Sequence, residues 1–281
     1  QSPVVSGKRQ LEDSTRVKRH PLFEEILTHL SPAEVFRSFH HRPFAFFLDS
    51  GMDPAKLGRY SFIGSDPFLV LKSRRDDLTR LSAGREEKHR GNPFRALGDL
   101  LERYTLDPGG APTPLVGGAV GYLSYDLCHF IESVPGRAID DLQLPECCLG
   151  FYDVVITFDH LRQKTYIASS GFPEQEEGRR LKRARERLEQ VKASIAVARS
   201  SLTGRATHPP ADLAEATPHS NFTHPEYLRA VEASREYIIS GEIYQVNLSQ
   251  RFDGRLTTHP YDLYQRLRAI NPAPRPASKL P

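Results

Sequence analysis

The chain has 281 residues, 38% hydrophobic and 26% charged, an ordinary globular balance with length for one large or two smaller domains. Its 38 basic and 35 acidic side chains leave a net charge of +3, and so even a balance argues against a dedicated nucleic-acid binder. No apolar run reaches the ~18 residues of a membrane span. Residues 1–20 are polar and have neither an initiator Met nor an apolar signal core. They read as a disordered leader, or the start of a partial gene product, and the protein as cytoplasmic. Cys128, Cys147 and Cys148 form no CxxC pair, which suits reduced thiols and not a zinc ribbon.

In chain order, Phe23, Ile26, Leu27 and Leu30 recur at helical spacing and predict a short helix within residues 21–38. The apolar run Pro43–Leu48, ended by Asp49-Ser50-Gly51, predicts a buried strand entering a turn. Arg59–Gly64 and Pro67–Lys72 read as two strand pieces broken at Ser65-Asp66-Pro67. Asn92–Tyr104 reads as a helix, with Asn92 as its cap and Pro93 in the first turn. Gly117–Asp126 is a glycine-bearing strand, Leu149–His160 a strongly apolar strand, and Lys164–Ser169 its hairpin partner.

Glu174–Arg199 is a charged helix with a narrow stripe of Leu181, Leu188, Val191 and Ile195. Its basic run, Arg179 to Arg187, is either a partner patch or a solvated helix face; the interleaved Glu186 and Glu189 favour the solvated face. Residues 200–220 lack periodicity and form the expected linker. Beyond it, Thr223-His224-Pro225-Glu226 is a capping box, and Gly241 stands where a helix C-terminus belongs. Ile243–Phe252 then alternates with period two: Tyr244, Val246, Leu248 and Phe252 against Gln245, Asn247, Ser249 and Arg251. That polar row can line a ligand cavity or face bulk water.

The sequence contains no HExxH, GxSxG, Walker A or GxGxxG pattern. Asp140-Asp141 could be a metal site but reads better as a surface turn, and His40-His41 as a loop. Physical reading alone ends at an α+β protein with two unequal parts.

Ser240 to Phe252, Ser-Gly-Glu-Ile-Tyr-Gln-Val-Asn-Leu-Ser-Gln-Arg-Phe, closely resembles the segment that opens the chorismate-binding domain of aminodeoxychorismate synthase component I. Anthranilate synthase component I carries a similar segment. Phe47–Gly51, Gly58–Gly64, Gly117–Tyr122 with Tyr125-Asp126, and Pro145 followed by Gly150–Asp153 resemble the amino-terminal domain of the same family, in the same order. The resemblance covers roughly residues 23–274. It implies an α+β fold, an antiparallel-sheet sandwich of the anthranilate synthase component I type, incomplete at the C-terminus. The divisions expected are a leader at 1–20, an amino-terminal domain at 21–199, a linker at 200–220, and the start of a chorismate-binding domain at 221–281.

The resemblance also implies an activity. Such enzymes add ammonia, delivered by a glutamine amidotransferase partner, to chorismate with the help of Mg²⁺. One branch leads through aminodeoxychorismate to 4-aminobenzoate and folate, the other through anthranilate to tryptophan. Anthranilate synthases usually carry Leu-Leu-Glu-Ser at the tryptophan feedback site; here Leu48-Asp49-Ser50-Gly51 stands there, closer to the aminodeoxychorismate type. By position, Ser50 corresponds to the serine that contacts tryptophan, Leu57, Gly58, Arg59 and Tyr60 to the loop that follows, and Pro274 to the start of the third contact segment. After Pro274 the sequence departs from the family, with three prolines among its final eight residues. The Pro-Ile-Lys-Gly-Thr motif that holds the family's catalytic lysine is absent, and its Mg²⁺-binding glutamates and active-site histidine lie beyond that motif. No catalytic residue, metal ligand or Mg²⁺ is therefore expected in this chain. It is expected to be inactive alone, or to act as a tryptophan- or amidotransferase-binding module.

Overall fold

A computed structural model describes residues 18–50, 58–136, 139–202 and 218–270. Contacts divide the described residues into two compact units, 18–202 and 218–270. Most of the expected leader, residues 203–217 of the expected linker, and the proline-rich tail lie outside the described residues.

The first unit is built on two five-stranded antiparallel sheets. One contains β1 (Leu22–Ile26), β2 (Phe46–Leu48), β3 (Tyr60–Gly64), β9 (Val154–Asp159) and β10 (Lys164–Ser169), in the order β1-β10-β9-β3-β2. The other contains β4 (Leu69–Arg74), β5 (Asp77–Ser82), β6 (Arg85–Arg90), β7 (Gly118–Leu123) and β8 (Cys147–Tyr152), in the order β6-β5-β4-β8-β7. The fold is α+β, with antiparallel sheets and no closed barrel.

Residues 21–38 do not form the single helix that their spacing predicts. Leu22–Ile26 pairs with β10, and only α1 (Pro32–Phe36) is helical, opened by a capping box between Ser31 and Glu34. Pairing with a waiting sheet edge outweighs a weak local helical pattern. The fully exposed Leu27 (97%), counted in the expected helical stripe, marks where that pattern misleads.

Asn92 caps α2 (Pro93–Arg103) as expected, accepting from the Phe94 and Arg95 N–H groups. Leu100, with Leu97 and Ala96, packs on Leu69, Leu71 and Phe151 of the second sheet. Gly121 is required by close approach: a Cβ there would overlap the Cys148 carbonyl.

Leu149–His160 is not one strand but two, and the two lie in different sheets. The chain leaves the second sheet at Tyr152 and enters the first at Val154. Asp153 stands at the crossing, with 1% of its surface exposed. Its carboxylate accepts from Arg183 (3.2 Å) and Arg187 (3.0 and 3.2 Å), while its carbonyl accepts from the Ser170 N–H (2.8 Å). A buried carboxylate is tolerated only when paired and fully hydrogen-bonded.

Those arginines come from α3 (Glu177–Leu202), which packs against β10, β1 and α1. Its buried face runs Arg180, Ala184, Leu188, Val191, Ile195 and Ala198. The expected solvated basic face is therefore corrected in part. Arg179 and Lys182 are solvated, but Arg180 is buried and donates to the Ser170 and His20 carbonyls, while Arg183 and Arg187 hold Asp153.

In the second unit, Thr223 and Glu226 form the expected capping box of α4 (His224–Ile239), and Gly241 follows it with φ +78°. Ile243–Phe252 is not a strand, contrary to its alternation. Only Phe252–Asp253 (β12) pairs, with His219–Ser220 (β11), and α5 (Pro260–Ile270) follows. A period-two pattern becomes a strand only beside a partner, and among the described residues no other strand of this unit offers one.

Candidate functional site

The positions singled out by resemblance converge at one end of the first sheet. β2 carries Asp49 and Ser50 past its end, and Gly58 and Arg59 lead into β3, so these residues lie together beside the β2–β3 pair. Leu57 and Pro274 lie outside the described residues.

Ser50 bridges the two strands. Its hydroxyl donates to the Tyr60 carbonyl (2.6 Å) and its N–H to Ser61 Oγ (3.1 Å). Ser61 is fully buried. Its Oγ lies 3.3 Å from Asp49 Oδ1 and 2.8 Å from His160 Nε2. A hydroxyl has one proton and two lone pairs. With the Ser50 N–H already donating and the Ser61 hydroxyl donating to Asp49, the remaining lone pair of Ser61 is open to an Nε2–H tautomer of His160. The His160 backbone N–H donates to the Arg59 carbonyl (2.8 Å).

Arg59 forks onto Asp159, with Nη2 2.9 Å from Oδ2 and Nε 3.3 Å from both oxygens, and its guanidinium lies 4.8 Å from the Tyr60 ring centre. Burial pushes the Asp159 carboxyl up. The Arg59 hydrogen bonds and the N–H groups of Arg162 and Leu161 outweigh it and hold the group below the usual carboxylate range. The Tyr60 phenol is raised, first by burial and then by the Asp159 charge.

This constellation cannot act as a hydrolase triad, because Ser61 is inaccessible and gives its proton to a carboxylate. It fixes the backbone at the end of β2 and the start of β3. The Ser50 proton is also committed, so a ligand reaching this hydroxyl must donate to it, as an ammonium group does. Asp159, His160 and Ser61 carry no sequence signal for this role. The one clue is that a mostly apolar strand, β9, ends on a charged residue.

The polar row does not line a cavity. Gln245, Asn247, Ser249 and Arg251 are all exposed and bond locally, Arg251 to Asp253 and Gln245 to Asn247. Asp140 forms a surface ion pair with Arg74 (2.9 Å). Among the described residues no group of three or more His, Cys, Asp or Glu is placed to hold a metal ion. The Mg²⁺ implied by resemblance therefore finds no ligand set among the described residues. All three cysteines are free thiols, and burial, with the neighbouring Cys148, pushes the Cys147 thiol up to about 11. No helix among the described residues is long and apolar enough to cross a membrane.

Comparison with known proteins agrees with this architecture. The family described as chorismate binding enzyme matches residues 53–278. Anthranilate synthase component 1 of Acetivibrio thermocellus is 32% identical over 250 residues, 87% of this chain and 50% of the relative. Aminodeoxychorismate synthase component 1 of Bacillus subtilis is 30% identical over 224 residues, 79% of this chain and 46% of the relative. The crystal structure of anthranilate synthase component I from Streptococcus pneumoniae superimposes with a TM-score of 0.58 at 23% identity, covering 89% of this chain and 53% of that one. This supports the fold. The chain spans about half the length of these relatives. With the family matched over most of its residues, the chain belongs to the chorismate binding enzyme family.

Proposed function

We propose that this chain supplies the amino-terminal region of a chorismate-aminating synthase of the aminodeoxychorismate type, fed with ammonia by a glutamine amidotransferase, on the route to 4-aminobenzoate and folate. In this reading the end of the β2–β3 pair holds an amino-acid effector, tryptophan by resemblance, against Ser50, Gly58, Arg59 and Tyr60, with Leu57 and Pro274 the further positions that the resemblance implies. The observation that carries it is the wiring of Asp49 and Ser50. The short Asp49 side chain is tied to buried Ser61 where a glutamate is usual in anthranilate synthases, and the Ser50 hydroxyl is left able only to accept. Mg²⁺ belongs to the full-length family enzyme in this proposal, bound by residues of the family's later motifs.

Calorimetric titration of the chain with L-tryptophan tests the effector site. One-to-one binding that Ser50→Ala abolishes is the expected result, and no heat of binding sinks that part of the reading. The catalytic part is tested by incubating the chain with chorismate, Mg²⁺ and an ammonium salt, and assaying both products. No turnover is expected, because the lysine motif is absent from the sequence. Aminodeoxychorismate would show that the chain supplies catalytic groups of its own.

Anthranilate as the product would favour the second reading, an anthranilate synthase of tryptophan biosynthesis. That reading draws support from the relative at 32% identity, which bears that name. Tryptophan binding without turnover also fits a non-catalytic binding module.

A further inference from the structure

One face of β4, β5 and β6 carries a cationic cluster that the site beside the β2–β3 pair does not use. The strand register sets Lys72, Thr79 and Lys88 in one row across the three strands, and Arg74, Asp77 and Arg90 in the next. Directly opposed residues of an antiparallel pair share a face. Ser73 and Leu78, which alternate with them, are 1% and 2% exposed, so the two charged rows stand on the open side of the sheet. A cavity of about 610 Å³ lies over them, with Gln143 and Pro145 also in its wall. Its lining sets four cations against one carboxylate.

Three of the four cations already hold carboxylates. Arg74 pairs with Asp140 (2.9 Å), Lys88 with Glu86 of its own strand (2.8 Å), and Arg90 with Asp77 (3.4 Å) and Asp76 (3.9 Å). Lys72 makes no ion pair among the described residues, and its ammonium lies 5.3 Å from the Phe44 ring centre. The half-buried Thr79 hydroxyl beside it has no hydrogen bond there either. The Lys88–Glu86 pair is exposed and contributes little, and it leaves two of the three ammonium donors of Lys88 uncommitted.

Two ammonium groups therefore flank one free hydroxyl. The Lys72 and Lys88 backbones are two strand spacings apart, about 9.5 Å, and both side chains are long enough to close on one group above Thr79. A phosphoryl group carries about −1.5 to −2 at neutral pH and offers three acceptor oxygens, which suits two point charges and a hydroxyl donor. A carboxylate, with one charge, would leave one ammonium unmatched. The cavity lies within the ~300–1,000 Å³ of small-molecule sites and is far larger than a phosphate, so it has room for an organic body. Asp77 and Gln143 in its wall bind hydroxyl groups. Asp76, Glu86 and Asp140 beside the cations oppose an extended polyanion such as a nucleic acid.

We propose that this face is a binding site for a small phosphorylated, hydroxyl-bearing metabolite: its phosphoryl group sits over Thr79 between Lys72 and Lys88, and its body lies toward Asp77 and Gln143.

Calorimetric titration of the 281-residue chain at constant ionic strength tests this, with ribose 5-phosphate as the probe and inorganic phosphate, ribose and acetate beside it. One-to-one binding of ribose 5-phosphate, weaker binding of inorganic phosphate and none of ribose is the expected result. Lys72→Gln, and independently Lys88→Gln, should each weaken ribose 5-phosphate by roughly tenfold or more. Thr79→Val should weaken it less than either. Circular dichroism checks that the variants fold, and Arg235→Gln, in the second unit, should leave binding unchanged. No binding of either phosphate probe overturns the proposal, as does binding that survives the Lys72→Gln, Lys88→Gln double variant. Inorganic phosphate binding as tightly as ribose 5-phosphate overturns the organic body, and acetate competing as well as phosphate overturns the phosphoryl assignment.

Discussion

The two long helices teach different lessons about what makes a helix. α3, in the first unit, buries Ala184, Leu188, Val191, Ile195 and Ala198 in one continuous stripe. α4, in the second unit, buries no residue, and its Leu228, Tyr237, Ile238 and Ile239 are exposed. Yet α4 has the better ends: a complete capping box, Pro225 in its first turn and Gly241 after its last. Local signals write a helix into the chain, whereas packing holds it there. The second unit is locally specified and weakly packed, with Tyr261 the one buried apolar side chain among its described residues.

The comparison can be broken most sharply at Asp153. Asp153→Ala leaves Arg183 and Arg187 without their buried partner and should cost about 3–5 kcal/mol, read as a lower urea midpoint for the first unit. Next comes a matched pair. Leu188→Ala should cost about 2–4 kcal/mol, and Leu228→Ala at most about 0.5 kcal/mol, in the same denaturation experiment. Equal losses would mean that α4 is packed after all.

Acid sensitivity should also belong to the first unit. Asp159 has a folded-state value below that of an unfolded carboxylate, so its contribution is present above about pH 4 and is lost as pH falls through the folded value. Arg59→Met removes the principal partner and leaves the burial, so the acid unfolding midpoint should move to higher pH. An unchanged midpoint would show that the backbone N–H groups alone hold Asp159. The smallest effect is Thr223→Ala, which removes the α4 cap and should cost about 1 kcal/mol, visible as faster amide exchange in the first turn of α4 and nowhere in α3.

Much of this was legible in advance where the signal is local. The caps at Asn92 and Thr223, the hairpin of β9 and β10, and the break between β3 and β4 follow from single residues that fix their own neighbourhood. What misled was non-local. Leu22–Ile26 has helical spacing but pairs with a strand far along the chain. Leu149–His160 is strongly apolar on both sides of Asp153 and reads as one strand, so nothing in its periodicity marks that single charged residue as the point where it changes sheets. Ile243–Phe252 has the cleanest alternation in the chain, yet among the described residues only its last member, Phe252, pairs, in the two-stranded sheet with β11. At the candidate site, Ser50 and Tyr60 were reached through resemblance, but Ser61, Asp159 and His160 were not. Their roles arise because β3 lies against β9, about a hundred residues later.

That long reach has a consequence for how the protein is made. β1 is the first described strand to leave the ribosome, and among the described residues it pairs with β10 alone, where Leu22 meets Ser169 and Ile26 meets Thr165. At ~5–20 residues per second, roughly 7–30 seconds pass before that partner is synthesised. During this interval the apolar side chains of β1, β2 and β3 have no finished sheet to enter. Newly made chains should therefore lean on chaperones more than the finished fold's own stability would suggest, and the dependence should end abruptly once Ser169 has emerged.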